Sequence, residues 1–252
     1  MPDTTVDFAP GGYAYVPGVF QYSAGVRALP GRRIVRARFR RVVPLAEGFQ
    51  RIGAFLDARG LARTAFAACE LRSPAPFDEA GFARFNRAYV GVLRDWRIVA
   101  DGANPVARSN VCPEIDPPAE PGFHAFCFAA PGDGAGPSFA VAGSGEVPEG
   151  MGNYRDHIVR PGDVSAAGLR AKAEYVVGEM ARRMAAMGAG WADATAAQVY
   201  TVHDMHALMP ALLVPAGAAA HGATWHFCRP PVVGLDFEMD CRGVAEEVVL
   251  EA

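Results

Sequence analysis

Apolar and arginine positions alternate through RRIVRARFRRVV, residues 32–43, the period of a strand with one solvated face, and extended segments run from Phe20 to Val43 as two strands. The pattern then changes period. LAEGFQRIGAFLDAR places Phe49, Ile52, Phe55 and Leu56 at helical spacing until Gly60 stops it. A short apolar run, TAFAACELRS, has the length of a strand, and Pro74 and Pro76 separate it from a second helix through FDEAGFARFNRAYVGVL. NPVARSNVCPEI and FHAFCFAA supply two more extended segments before the unpatterned, Gly- and Pro-rich PGDGAGPS.

Beyond that stretch the order returns. SFAVAGSGEV is extended, GDVSAAGLRAKAEYVVGEMARRMAAMG is a long helix with Asp163 or Ser165 as its N-cap, ATAAQVYTV is a strand, and GLDFEMDCRGV alternates as a closing strand. The helix-to-strand joints RGLARTAFAACEL and AGWADATAAQVYT both pass from a glycine turn into an alanine-rich strand. The chain therefore reads as α/β (α+β), with a first unit over 1–130, a connection at 131–137 and a second unit over 138–252.

Composition narrows the function. The formal net charge of −3 and the scatter of basic residues argue against nucleic acid or an anionic membrane as partner. Lys172 is the one lysine, and its place in LRAKAEYVV suggests a solvated helix face rather than a Schiff base. The five cysteines show no CxxC spacing and sit in apolar runs, as reduced thiols do, and Cys112 and Cys228 read more readily as packing than as nucleophiles. His203, His206, His221 and His226 lack cysteine or acidic partners at ligand spacing, so neither metal nor cofactor is expected. The opening MPDTTVDFAP has no secretory pattern and no apolar run is long enough to cross a bilayer, so a soluble cytoplasmic protein is expected.

Several short motifs carry a resemblance. Tyr22-Ser23 in FQYSAGV, Asn86 in FARFNRAYV, Arg108-Ser109 in NPVARSNV, Gly143 in AVAGSGEV and Glu238 in GLDFEMDC are similar to motifs of the Rid (YjgF-like) reactive-intermediate deaminase superfamily. That resemblance covers both halves and implies two tandem Rid/chorismate-mutase-like units, each a mixed β-sheet packed on two helices, with a homotrimer and sites at the seams between units. It departs from the pattern in two places: FHAFCFA lacks a closing-strand glutamate, and Trp225 in ATWHFCRPP stands near the place of the second arginine. One composite site, with Arg108 from the first half and Glu238 from the second, follows as the expectation.

Hydrolytic removal of an amino group from an enamine or imine requires an anchor for the substrate carboxylate and a group that manages protons. Arg108 suits the first, because a planar guanidinium forms paired charge-assisted bonds to a carboxylate. Glu238 suits the second, since burial would raise its pKa, although its alternation with Asp236 and Asp240 also fits a solvated strand face. Gly143 would allow backbone to approach the second carboxylate oxygen, or mark a bulge. Tyr22 and Asn86 join the substrate-binding set with the resemblance. His226 and Cys228, beside the altered signature, are further candidate pocket residues.

The charged loop from Asn153 to His157 would line a pocket. Double-unit members of the superfamily resemble aminomuconate deaminases, and a dicarboxylic substrate would use a second arginine, Arg155 or Arg229. The leading expectation is deamination of 2-aminomuconate or a substituted form during aromatic-compound degradation. Two alternatives stand beside it: a chorismatase-like or ring-opening hydrolase, and a non-enzymatic protein that binds a small metabolite.

Overall fold

The computed structural model describes residues 4–100, 102–132, 136–151 and 153–251, so part of the 131–137 connection lies outside the described residues. Two mixed sheets face each other. The first is built from β4 (Arg32–Pro44), β5 (Phe66–Arg72), β6 (Ala107–Pro113) and β7 (Gly122–Pro131), with α1 (Leu45–Asp57) and α2 (Glu79–Asp95) in the connections. The second is built from β8 (Phe139–Gly145), β9 (Ala196–Tyr200), β10 (Ala223–His226) and β12 (Glu238–Gly243), with α3 (Ala166–Ala186) between β8 and β9. Their cores run β4-β7-β5-β6 and β8-β12-β9-β10. In each, the first two pairings are antiparallel and the third is parallel, so order and direction agree.

Sheet membership crosses the 131–137 connection in both directions. The early strands β1 (Val6–Phe8), β2 (Tyr13–Val16) and β3 (Gly25–Ala28) extend the second sheet through β3 on β8. The late strands β11 (Cys228–Arg229) and β13 (Glu247–Leu250) flank the first, on β6 and β4.

Local chemistry explains the helices. In α1, Phe49, Ile52 and Leu56 are buried on one stripe, and Gly60 follows at φ +65°, a left-handed conformation that glycine adopts without a Cβ penalty. The Asp78 side chain accepts a hydrogen bond from Gly81 N at 2.6 Å and caps α2, worth about 1 kcal/mol. Ser165 caps α3 by accepting from Gly168 N at 3.2 Å, and Asp163 in turn accepts from Ser165 Oγ at 2.6 Å.

The second sheet departs from the expected pair of helices. Between β9 and β10 the chain forms turns and a five-residue π-helical segment, Met209–Leu213. Pro210 lies in this segment and Pro215 just after it, and proline removes the N–H that a regular helix needs.

Three apolar clusters hold the layers. One joins Phe49, Phe66, Tyr89 and Phe123 between the first sheet and α1 and α2. Another joins Val176, Met180 and Met184 of α3 to Val199, Phe237 and Met239. The third lies between the sheets and is rich in small residues, among them Ala67, Ala68, Ala107, Ala129, Ala140 and Ala142, which lets two backbones approach closely.

Charged residues are buried as well, against two expectations. Arg36, on the strand expected to solvate its arginines, is buried and donates to Glu70 at 2.6 and 2.8 Å. Lys172 is fully buried, with Nζ 2.7 Å from Asp236 and 3.2 Å from Glu146, and so is not on a solvated face. Glu146 also accepts from Asp236 N and Phe237 N at 2.6 and 3.0 Å, which ties the end of β8 to the start of β12. A lone arginine or lysine on a surface-like pattern gives no sign of a distant carboxylate, and here long-range pairing overrides the local period.

Candidate active site

The sheets meet along β6 and β8, and the site is assembled there from both. A cavity of about 50 Å³ is lined by Tyr22, Arg108, Gly143 and Glu238, together with Phe82, Asn110, Glu149, Tyr154 and Leu235. It is large enough for a few waters or one carboxylate-bearing end of a small molecule. Tyr154 and Val232 are shared with an outer cleft of about 420 Å³ that also contains Phe77, Asp78, Glu79 and Arg155.

Arg108 projects from β6 into an aromatic cage. Its Cζ lies 4.9 Å from the ring centre of Tyr89, 5.1 Å from Tyr22, 5.5 Å from Phe85 and 5.8 Å from Phe82. Nη2 donates to Asn86 Oδ1 at 2.7 Å, while Nη1 is buried with no hydrogen-bond partner among the described residues. Two residues along β6, on the same face by the two-residue period, Asn110 Nδ2 is also buried and unpaired, its Oδ1 accepting from Ser73 Oγ at 3.0 Å. Two unpaired buried donors in one chamber are costly unless an acceptor arrives, and a carboxylate is the acceptor that suits a guanidinium.

Glu238 enters from the opposite sheet. It opens β12 beside an irregularity in the pairing with β8, of the kind that re-aims side chains, and its carboxyl group lies over Gly143. A Cβ at residue 143 would collide with that carboxyl group and press on Ser109 Cα, so the glycine makes room for Glu238. Glu238 is buried, not on a solvated strand face, and accepts no hydrogen bond among the described residues. Burial pushes its pKa well above the usual carboxylate range, and the neighbouring charges of Asp240 and Glu146 push it further, against the opposing pull of Arg72 and Arg183. Both effects favour the un-ionised form, the form that can donate a proton.

Gly143 and Tyr22 thus share the cavity with Arg108 and Glu238, Asn86 stands behind Arg108, and Arg155 lies in the outer cleft. His226 and Cys228 are elsewhere. His226 stacks on Tyr200 at 5.0 Å and pairs with Gln198 at 3.2 Å, and burial together with Arg72 lowers its pKa to about 4. Cys228 packs with Val111 and Tyr200, and burial raises its pKa, as burial raises that of Cys112 to about 12. Such thiols are poor nucleophiles. Arg229, the other arginine considered for a second carboxylate, is engaged with Glu114 at 2.7 and 2.9 Å. Trp225, near the place of a second arginine, donates instead to Thr201 O at 3.0 Å. Among the described residues, no group of three or more His, Cys, Asp or Glu is arranged to hold a metal ion.

Sequence reasoning missed Asn110 and Glu149. The strand period from Arg108 would have found Asn110. Nothing in the local pattern EVPEGMG marks Glu149, whose partner Arg183 is supplied by α3 at 2.9 Å.

Two buried, unpaired donors on one sheet thus face a buried carboxyl group from the other across a small chamber. The family described as 2-aminomuconate deaminase CnbZ matches residues 5–248, and the chain belongs to it. It is a deaminase, which removes the non-enzymatic reading. A 2-amino-5-chloromuconate deaminase from Comamonas testosteroni is 49% identical over 252 residues, covering 99% of this chain and 100% of that protein. A chorismatase crystal structure shares the fold at a TM-score of 0.50, with 12% identity over 92% of this chain and 77% of that one. No helix among the described residues is long and apolar enough to cross a membrane.

Proposed function

We propose that the chain hydrolyses the enamine or imine of 2-aminomuconate, or of a substituted 2-aminomuconate, to the keto acid and ammonia during degradation of aromatic compounds. The observation that carries this reading is the pairing of Arg108 Nη1, buried and unpaired, with the unpartnered carboxyl group of Glu238 in one cavity. Arg108 and Asn110 hold the carboxylate next to the amino-bearing carbon. Glu238 passes its proton to the enamine carbon, leaving an iminium ion that water attacks. The aromatic cage and the apolar wall of Leu235 limit bulk water and strengthen each of these interactions.

The two-chamber shape supports a linear dicarboxylate. One end fits the inner cavity, and the chain passes Tyr154 and Val232 to reach Arg155 in the outer cleft. A cyclic substrate would require the inner cavity itself to widen, which disfavours the ring-hydrolase alternative.

The matching strand orders of the two sheets support the further reading that 1–130 and 138–252 are tandem Rid-like units. In that reading the chain supplies one composite site between its own units and assembles as a homotrimer in the cytoplasm.

Ammonia release and loss of the conjugated enamine absorbance, measured on freshly generated 2-aminomuconate, test the activity. Release by the wild-type protein, abolished in Arg108→Ala, is the expected result. Wild-type release no faster than the spontaneous rate would overturn the substrate assignment, and release untouched in Arg108→Ala would overturn the anchor.

A further inference from the structure

The cavity contains a second carboxyl group that the reading above leaves idle. Glu149 follows β8 on the loop that leads to Tyr154, and its side chain is 6% exposed. Its Oε1 is paired with Arg183 Nη2 at 2.9 Å, and its Oε2 is buried and accepts no hydrogen bond among the described residues. Arg183 is itself fully buried, and its other nitrogen contacts are Ala142 O, Gly143 O and Ser144 Oγ at 3.1, 3.4 and 3.2 Å, with Glu179 3.7 Å away. The guanidinium is thus fixed on the backbone of β8, and it presents a cation to Oε1 of Glu149 while leaving Oε2 without a partner.

Two carboxyl groups therefore share one chamber in opposite settings. Glu238 has no cation in contact and is pushed towards its neutral form by burial, whereas Glu149 sits against a buried arginine. Such a division is how one site runs acid and base chemistry together. We propose that Glu149 is a second catalytic residue of the deamination, the general base that takes the proton from the attacking water and returns it to the departing nitrogen.

This rests on the hydrolytic reading, and the protons balance. Glu238 gives its proton to the enamine carbon, and the carbon–nitrogen unit becomes an iminium ion. Water forms the new C–O bond as Glu149 takes one of its protons, leaving a neutral carbinolamine. Glu149 then protonates the amine, the C–N bond breaks and ammonia leaves. The hydroxyl proton goes to the Glu238 carboxylate as the carbonyl forms, so both glutamates regain their starting states.

Three variants test the assignment on 2-aminomuconate. Glu149→Ala should lower ammonia release about a hundredfold or more, and added formate should recover at least tenfold by supplying a base to the vacated space. Glu149→Gln, which keeps the shape beside Arg183 but cannot accept the proton, should be as slow as Glu149→Ala and insensitive to formate. Glu149→Asp, which keeps the charge on Arg183, should retain measurable activity and an unchanged near-ultraviolet circular dichroism spectrum. A Glu149→Gln protein within threefold of wild type, or a folded Glu149→Ala protein that formate does not recover, would overturn the proposal. Absence of release by the wild-type protein would instead count against the substrate reading, so the two failures are distinguishable.

Discussion

Two buried polar regions lie within a few residues of each other and are built on opposite rules. Around Arg36, Glu70, Gln198 and Asp240 the partners are complete. Glu70 accepts two bonds from Arg36 and one from Gln198 Nε2 at 3.3 Å, and Asp240 accepts from Ser109 Oγ, Gln198 Nε2 and Tyr200 OH at 2.6, 2.8 and 2.8 Å. Around Arg108 and Glu238 they are not: Arg108 Nη1, Asn110 Nδ2 and Oε2 of Glu149 have no hydrogen-bond partner among the described residues. A closed network fixes how the sheets dock, while an open one stores an unmet demand for a ligand. Adjacent residues of one strand serve the two, Arg108 the open region and Ser109 the closed one.

The sharpest way to break the contrast is Glu238→Gln. Removing the acid should lower kcat by about 10²–10⁴-fold, measured as ammonia release, while the fold survives. Its stability should also respond to pH with a definite sign. Glu238 has a raised pKa in the folded chain, so the neutral form it needs is available at low pH, and stability is lost as pH rises through the raised value and the buried group must ionise. The glutamine variant lacks that loss, so denaturant titrations should show it gaining on wild type as pH rises above the ordinary carboxylate range.

Glu70→Ala probes the closed region and should do the reverse. Leaving Arg36 buried without its carboxylate should cost about 3–5 kcal/mol in urea unfolding, with kcat changed little while the protein remains folded. Burial alone would raise the Glu70 pKa, but the bonds and charge of Arg36 outweigh it and hold the group well below the usual range. Its contribution is therefore present above the ordinary carboxylate pKa and fades as pH falls, opposite in direction to Glu238.

Arg108→Lys keeps the charge but loses the planar fork. The loss in kcat/KM should be about 1.5–3 kcal/mol, carried mainly by KM, in steady-state assays. The smallest effect should come from Ser109→Ala, one residue away. Removing one of three donors to Asp240 should cost about 1 kcal/mol of stability and leave KM unchanged, and a kinetic defect there would show that the two regions are coupled.

What the sequence revealed follows from the range of each signal. The α1 stripe, the Ser165 cap and the strand through FAACEL are written within a few residues of one another, and they appear where the local pattern places them. Arg108, Asn86, Tyr22, Gly143 and Glu238 were legible through short motifs, and the cavity gathers four of them around one space with Asn86 behind. Glu149, Arg36 and Lys172 were not legible, because the partner that gives each its character lies far along the chain or on another element. The Arg36–Glu70 bond spans 34 positions, and Glu146–Lys172 spans 26. The second helix expected of the second unit came from the resemblance rather than from any local period, and the segment between β9 and β10, with Pro210 and Pro215, forms turns and a short π-helical stretch instead.

The exchange of outer strands between the sheets carries a consequence for how the chain comes into being. Val26 pairs with Ala140, and Arg36 of the first sheet pairs with Glu247 near the far end, with their side chains 211 positions apart in sequence. Emerging from a ribosome, neither sheet can seal its borders until β8 and, for the first sheet, β13 at Glu247–Leu250 have been made. Contacts so distant along the chain slow the search for the native state and leave strand edges bare meanwhile. Maturation should therefore be a single late event, and a nascent chain halted after residue 200 should remain open to proteases across both halves.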